Sequence, residues 1–281
     1  MHGTSAITAI TAQSTLGVSA IHEVPVEIVL AQVRAVLGDI GADAVKVGML
    51  GSAEVALAVA AALDELPDGT PVVVDPVMVA ESGARLLASD AQQALVQHIL
   101  PRASVLTPNV PEARALIAQA GEVGEEDTVG VREARGEGDE DAGGQDGAAG
   151  ERQARGEGHA GIEPGDEDAQ IEALARAVLA LGPRAVVLTG GHRERAVDVY
   201  LDAEGTLESI DGVRHPDGAA HGSGCTHSSI LAAQLALGHT PLQAARIARR
   251  MAGTAVAQGL RDIGGGPGPV DVIDRARMRA N

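Results

Sequence analysis

The residues best suited to chemistry are His221-Gly222-Ser223-Gly224-Cys225-Thr226, which lead into an apolar helical segment. Two glycines let the backbone turn with its N–H groups facing inward, and the helix that follows adds the positive end of its dipole. Such a turn holds phosphate or another anion. Cys225 stands at the start of that helix, where a thiol is expected to lose its proton more readily than its free value of about 8.5. Gly222, Ser223 and Gly224 would form an anion hole and Cys225 an activatable base beside it. That pairing points to phosphoryl transfer. The competing reading is a glycine-rich turn around a small buried cysteine, since short glycine motifs recur by chance.

Two further runs carry chemistry. Thr107-Pro108-Asn109-Val110-Pro111-Glu112 places an amide and a carboxylate three residues apart at a helix start, on one side of it. Oxygen ligands of this kind suit Mg²⁺, which keeps several waters and also binds substrate phosphates. A helix N-terminus carrying a dipole-compensating glutamate is the plainer alternative. Val187-Leu188-Thr189-Gly190-Gly191-His192 is an apolar strand running into a glycine pair. Glycines there permit close approach of a nucleotide, although a plain turn explains them equally well, and His192 reads as a loop histidine.

Positioning these residues falls to alternating strands and helices. Ser5–Thr11 is short, apolar and β-branched. Val26–Leu37 has the spacing of one helical face, and Gly38 can end it. Ala44–Leu50 reads as a buried strand, and Ser52 can cap a helix reaching about Leu63. Val72-Val73-Val74-Asp75-Pro76 is a second buried strand stopped by proline. Ser89-Asp90-Ala91-Gln92 has the form of a capping box opening a helix to about Leu100. Ser104–Thr107 is a strand, Ile171–Leu181 a helix and Ala185–Thr189 another strand. Asp198–Leu201 and Leu207–Ile210 form a small antiparallel pair. Helices over about Thr226–Leu237 and Pro241–Gln258 close the chain, the second with Thr240 and Gln243 as a capping box. Repeated βα units imply an α/β fold, a mostly parallel sheet with helices on both faces. Ligands bind beyond the carboxyl ends of such strands. Gln13, Met49, Asp75, Asn109 and Gly190-Gly191 each follow an apolar strand and mark that edge.

Composition narrows the partners. Hydrophobic residues make up 45% of the 281, enough for a sizeable core. Tyr200 is the only aromatic residue and Lys46 the only lysine. The net charge is −18, and residues 122–168, with 16 acidic and 4 basic side chains, supply −12 of it. The remainder has no basic face for nucleic acid. A single cysteine excludes an intrachain disulfide and fits a reducing compartment. No apolar run approaches the roughly 20 residues of a membrane span, and Met1-His2-Gly3-Thr4 lacks the basic start of a signal peptide. A cytoplasmic location is expected. From about residue 121 to 165 the chain is rich in Gly, Ala, Glu and Asp without apolar periodicity. The run Arg132–Gly138 nearly recurs at Arg152–Gly158. That segment is expected to be a disordered acidic insertion in a single domain.

The ordered set of motifs resembles the ribokinase-like kinases, and within them the hydroxymethylpyrimidine/phosphomethylpyrimidine kinases of thiamine biosynthesis. The matching runs are Ser5–Gln13, Lys46–Leu50, Val74–Met78, Thr107–Asn109 with Glu112, Thr189–His192, His221–Thr226 and Gly266–Val270. The resemblance implies transfer of the ATP γ-phosphoryl group to a pyrimidine hydroxymethyl, then to the resulting monophosphate, with Mg²⁺. It implies that Gln13 hydrogen-bonds the pyrimidine and that Met49 and Val77 line its pocket. Asn109 and Glu112 match the Mg–phosphate motif, the metal being held through water. Asp75, Thr189, Gly190 and Gly191 fall on the ATP side. Gly222, Gly224 and Cys225 match the anion hole and the base. Most ribokinase-like enzymes carry Asp as that base, and Cys points to the pyrimidine branch and to pyridoxal kinases. A pyridoxal kinase and a catalytically impaired pyrimidine-binding protein are the alternatives. A homodimer is implied by resemblance only. The family starts with a strand and a glycine-rich, Asp-containing segment ahead of the run at Ser5, and the sequence given starts after it. Glu81 stands where the family usually has Lys and Ala84 where it often has Asp, departures that bear on ATP affinity and loop closure.

Overall fold

A computed structural model describes residues 2–78, 86–133, 164–191, 196–216 and 218–273. His192, Glu81, Ala84 and most of the acidic insertion lie outside them. Six strands form the main sheet: β3 (Val45–Val47), β4 (Val72–Val74), β5 (Val105–Leu106), β6 (Ala185–Leu188), β7 (Val197–Asp202) and β8 (Leu207–Asp211). They lie side by side in chain order. β3 to β6 are parallel, and β7 and β8 join antiparallel. The α/β reading therefore holds, including the small antiparallel pair.

Alternation along the strands divides the core. Val72, Val74, Leu106, Val186 and Leu188 face one way. They pack on α2 (Ala53–Leu63), α3 (Ser89–Ala94), α4 (Val110–Glu133) and α5 (Pro164–Leu179). Val73, Val105, Ala185, Val187 and Tyr200 face the other way, onto α6 (Ser223–Ala236) and α7 (Pro241–Ala257). α1 (Val26–Asp39) lies against α2. With one aromatic residue, close approach comes from alanine: Ala244, Ala245 and Ala248 of α7 are fully buried. Thr240 and Gln243 form the expected capping box at α7. No helix among the described residues is long and apolar enough to cross a membrane.

Five expectations change. The N-terminal segment is not a strand of the main sheet. It forms a separate hairpin of β1 (Ala9–Ser14) and β2 (Gly17–Glu23). β2 lacks the apolar alternation that would have marked it, because the hairpin buries little. Ser52 precedes α2 but makes no capping hydrogen bond. Ser89 lies inside α3, after Ala88 as the cap, so the proposed box does not form. The helix then loosens into a π turn at Leu95–Ile99 and a tight turn at Leu100–Arg102, where Pro101 has no N–H to continue the ladder. α4 runs on to Glu133, so residues 121–133 of the expected disordered stretch are helical. Extending a formed helix needs no new nucleus, and its Glu residues are good helix formers. α6 begins at Ser223 rather than Thr226.

Candidate active site

The carboxyl ends of β3 and β4 bring together residues distant in sequence. Asp75, just past β4, is only 5% exposed. Lys46 Nζ lies 3.1 Å from its Oδ2, and the Ser228 hydroxyl on α6 donates to the same oxygen at 2.8 Å. A buried carboxylate needs such partners. Neither Lys46 nor Ser228 was singled out for a role from the sequence. The signals available were that Lys46 is the only lysine and that Ser228 sits one turn after Cys225.

The turn before α6 is built as its glycines require. Gly222 has φ of +84°, a left-handed conformation that disfavours any side chain. It caps α6, and its carbonyl accepts the Thr226 N–H at 2.9 Å. The Ser223 N–H is already used, donating to Ala220 O at 2.9 Å. No side chain caps α6, so the N–H groups of Gly224 and Cys225 in its first turn are open to a polar group arriving from outside the helix. A Cβ at Gly224 would meet nothing within 4 Å, leaving room over these donors. The Ser223 N–H is thus not open to an incoming anion.

Cys225 is exposed to solvent, but the expected lowering of its pKa is not found. Desolvation by the walls of the cleft pushes the thiol up. The Asp75 charge adds to this, Lys46 opposes it, and Glu112 contributes further in the same direction as Asp75. The helix-terminus argument considers only the local dipole, whereas two carboxylates from other elements face the sulfur.

Asn109 and Glu112 engage each other at the start of α4. The Glu112 N–H donates to Asn109 Oδ1 at 2.9 Å, and the Asn109 N–H donates to Glu112 Oε2 at 2.9 Å. This is the reciprocal cap of a helix start. Burial nevertheless pushes the Glu112 carboxyl up to about 7 against the hydrogen bond from Asn109, and the Asp75 charge adds to the rise. Among the described residues no group of three acidic, histidine or cysteine side chains could hold a metal directly. Asn109 and Glu112 are oxygen ligands of the kind that could hold Mg²⁺ through water.

The other two parts of the site join this centre by backbone. Asn109 and Thr189 form a parallel bridge, and the Thr189 N–H donates to Pro108 O at 2.8 Å. Gly190 is demanded by packing: a Cβ would lie 2.1 Å from Val197 O. Its N–H donates to Asp198 Oδ1 at 2.8 Å. Gly191 faces open space.

Gln13 is exposed on β1 and lines a pocket of about 210 Å³ with the Thr15-Leu16 turn, His221, Gly266 and Pro267. The Gly266–Val270 run holds this corner together. His221 N–H donates to Gly268 O at 3.2 Å, and Val270 N–H to His221 O at 3.1 Å. A Cβ at Gly266 would lie 1.9 Å from Thr15 O, so glycine admits the hairpin turn. Met49 and Val77 do not line that pocket. Both are half-buried at the strand ends beside Asp75, where Met49 O accepts the Thr8 hydroxyl at 2.8 Å and the Val77 N–H donates to Asp75 O at 2.8 Å.

Comparison with known proteins agrees with this arrangement. The profile of the phosphomethylpyrimidine kinase family matches residues 1–134 and 160–271. A hydroxymethylpyrimidine/phosphomethylpyrimidine kinase from Haemophilus influenzae is 36% identical over 274 residues, covering 96% of this chain and 85% of that protein. The crystal structure of phosphomethylpyrimidine kinase from Clostridium difficile 630 is similar with a TM-score of 0.62 at 29% identity, covering 88% of this chain and 84% of that one. The pyridoxal kinase of Staphylococcus aureus, solved with AMP-PCP and pyridoxal, has a TM-score of 0.69 at 24% identity, covering 97% and 83%, and shows the fold alone. A parallel sheet with an anion turn and a cysteine at its carboxyl edge, together with a family match over most of its length, makes this chain a member of the phosphomethylpyrimidine kinase family.

Proposed function

We propose that this protein transfers the γ-phosphoryl group of ATP to 4-amino-5-hydroxymethyl-2-methylpyrimidine and then to its monophosphate. The observation that carries the reading is the Gly222–Cys225 turn, pinned by Ser228 to the buried Asp75–Lys46 pair at the strand ends. Phosphoryl transfer asks for in-line positioning and charge stabilisation more than for covalent help. The Gly224 and Cys225 N–H groups hold oxygens of the phosphoryl in flight. Cys225 orients the proton of the attacking alcohol, with Asp75 as the carboxylate behind it. Lys46, facing the same carboxylate, keeps a positive charge beside the phosphates. The Thr189–Gly191 turn is the nucleotide side; Gln13 in the hairpin pocket, and Met49 and Val77 at the strand ends outside it, are the residues the family resemblance assigns to the pyrimidine. Glu112 and Asn109 would hold Mg²⁺ through water, and the ion would supply positive charge against that of the phosphates.

ADP release measured with the pyrimidine alcohol, its monophosphate and pyridoxal tests this. Turnover of both pyrimidines ahead of pyridoxal is the expected result. Pyridoxal outrunning both would make this a pyridoxal kinase. Tight pyrimidine binding without ADP release would make it a binding protein. Dependence on ATP supports a cytoplasmic location, and exposed Ile10, Leu16 and Ile21 on the hairpin support a homodimer, which light scattering would reveal.

A further inference from the structure

Asp198 belongs to no part of the site named so far, yet it is 1% exposed and touches three elements. β7 is antiparallel to β6, so its first residues lie at the carboxyl edge of the parallel strands. There Asp198 Oδ1 accepts the Gly190 N–H at 2.8 Å. Its Oδ2 lies 3.7 Å from His227 Nε2 on α6 and 3.7 Å from Arg249 Nε on α7. Arg249 Nη2 also donates to Ala196 O, at the entry to β7. Oδ2, both His227 nitrogens and Arg249 Nε are buried without a hydrogen-bond partner. Buried charge is a costly way to stabilise a core, and apolar residues of similar size often do as well. The placement offers another reason. His227 and Ser228 are consecutive on α6, and they face two buried carboxylates, Asp198 on β7 and Asp75 just past β4. Both follow Cys225 within one turn.

We infer that Asp198 is a positioning residue that ties the Gly190–Gly191 turn to the phosphate-holding end of α6, so that the nucleotide side and the anion turn keep one spacing. Arg249 balances its charge and fixes it on β7. This rests on the reading that ATP lies along the Gly190–Gly191 turn.

Asp198→Ala, Asp198→Asn and Gly191→Val test it, with KM measured separately for ATP and for the pyrimidine alcohol. Losing a charged hydrogen-bond acceptor should raise KM for ATP about tenfold in Asp198→Ala, with KM for the pyrimidine unchanged. Asp198→Asn should restore KM for ATP through its carbonyl while its melting temperature stays low, since Arg249 has lost its counter-charge. If activity in both variants simply follows melting temperature, or both KM values rise together, Asp198 is only structural. Gly191→Val separates the two failures. A raised KM for ATP there with none in Asp198→Ala overturns the inference alone, whereas no change in either moves the nucleotide elsewhere and removes the inference with it. Should Asp198→Ala not fold, hydrogen exchange of the parent with ATP decides: the Gly190 amide and the first-turn amides of α6 must gain protection together, and protection of one without the other overturns the inference.

Discussion

Cys225 and Glu112 both carry protons whose position depends on neighbours. Cys225→Ala should lower kcat by about a hundredfold to ten-thousandfold, the usual worth of a positioned proton-transfer group. KM for ATP should change little, because the backbone donors of Gly224 and Cys225 survive. Steady-state kinetics checks this, and equal kcat for mutant and parent would reduce Cys225 to a packing residue. Glu112 gives a pH prediction. Its carboxyl sits at about 7 in the folded chain, raised by burial from an ordinary 4.5. A raised folded value means that the folded form holds the proton more tightly. The stability this contributes is complete below about pH 4.5 and is lost as pH rises through about 7. At about 1.4 kcal/mol per unit, the loss is on the order of 3 kcal/mol. The ligand-free protein should therefore melt progressively lower between those limits, and Glu112→Gln should flatten the slope. Melting curves of the two proteins across that range decide it.

At the scale of the element, three glycines in two turns separate ligand from fold. Gly222→Ala must hold a left-handed conformation, costing about 1–2 kcal/mol, so both stability and activity should fall. Gly190→Ala would place a methyl 2.1 Å from Val197 O, and a large loss of stability is expected, with β6 and β7 forced apart. Gly224→Ala meets nothing within 4 Å and replaces a poor helix former by the best one. It should hold or raise the melting temperature while cutting kcat/KM for ATP, since the methyl stands where the phosphate comes. A Gly224→Ala protein that is as active as the parent would show that the anion lies elsewhere. Denaturation and kinetics on the three variants give the pattern.

For the whole molecule, the family profile passes over residues 135–159, within the stretch whose 16 acidic and 4 basic residues carry most of the net charge. We propose that this part is an insertion outside the working kinase. Loop closure changes by only about 0.6 kcal/mol per doubling of length. Replacing 135–159 with a short Gly/Ser linker should leave the melting temperature and kcat nearly unchanged and raise the isoelectric point. A large loss of folded yield would show that the segment packs against the domain or binds something.

Local chemistry was readable along the chain. Val72-Val73-Val74 before Pro76 could only be a short buried strand, and Thr240-Pro241 with Gln243 carries all the atoms of a capping box within four neighbours. Gly222 belongs to the same class: a backbone that must turn left-handed favours glycine, whatever lies around it. The carboxyl-edge residues Asp75, Asn109 and Gly190 were legible because βα units place strand ends together. What needed the tertiary structure was anything decided by groups remote in the chain. Lys46, Asp75 and Ser228 meet only when β3, β4 and α6 are assembled. Cys225 looked easy to ionise from its helix position, and desolvation with the Asp75 and Glu112 charges reversed that direction. The sequence leaves Gly190 between close approach of a nucleotide and a plain turn, and the packing of Val197 against it appears only in the fold. β2 has no apolar alternation to betray it, because its hydrogen-bonding partner is β1 and not the core. Backbone geometry and capping act over a few residues, whereas burial and charge sum over everything that folding brings near.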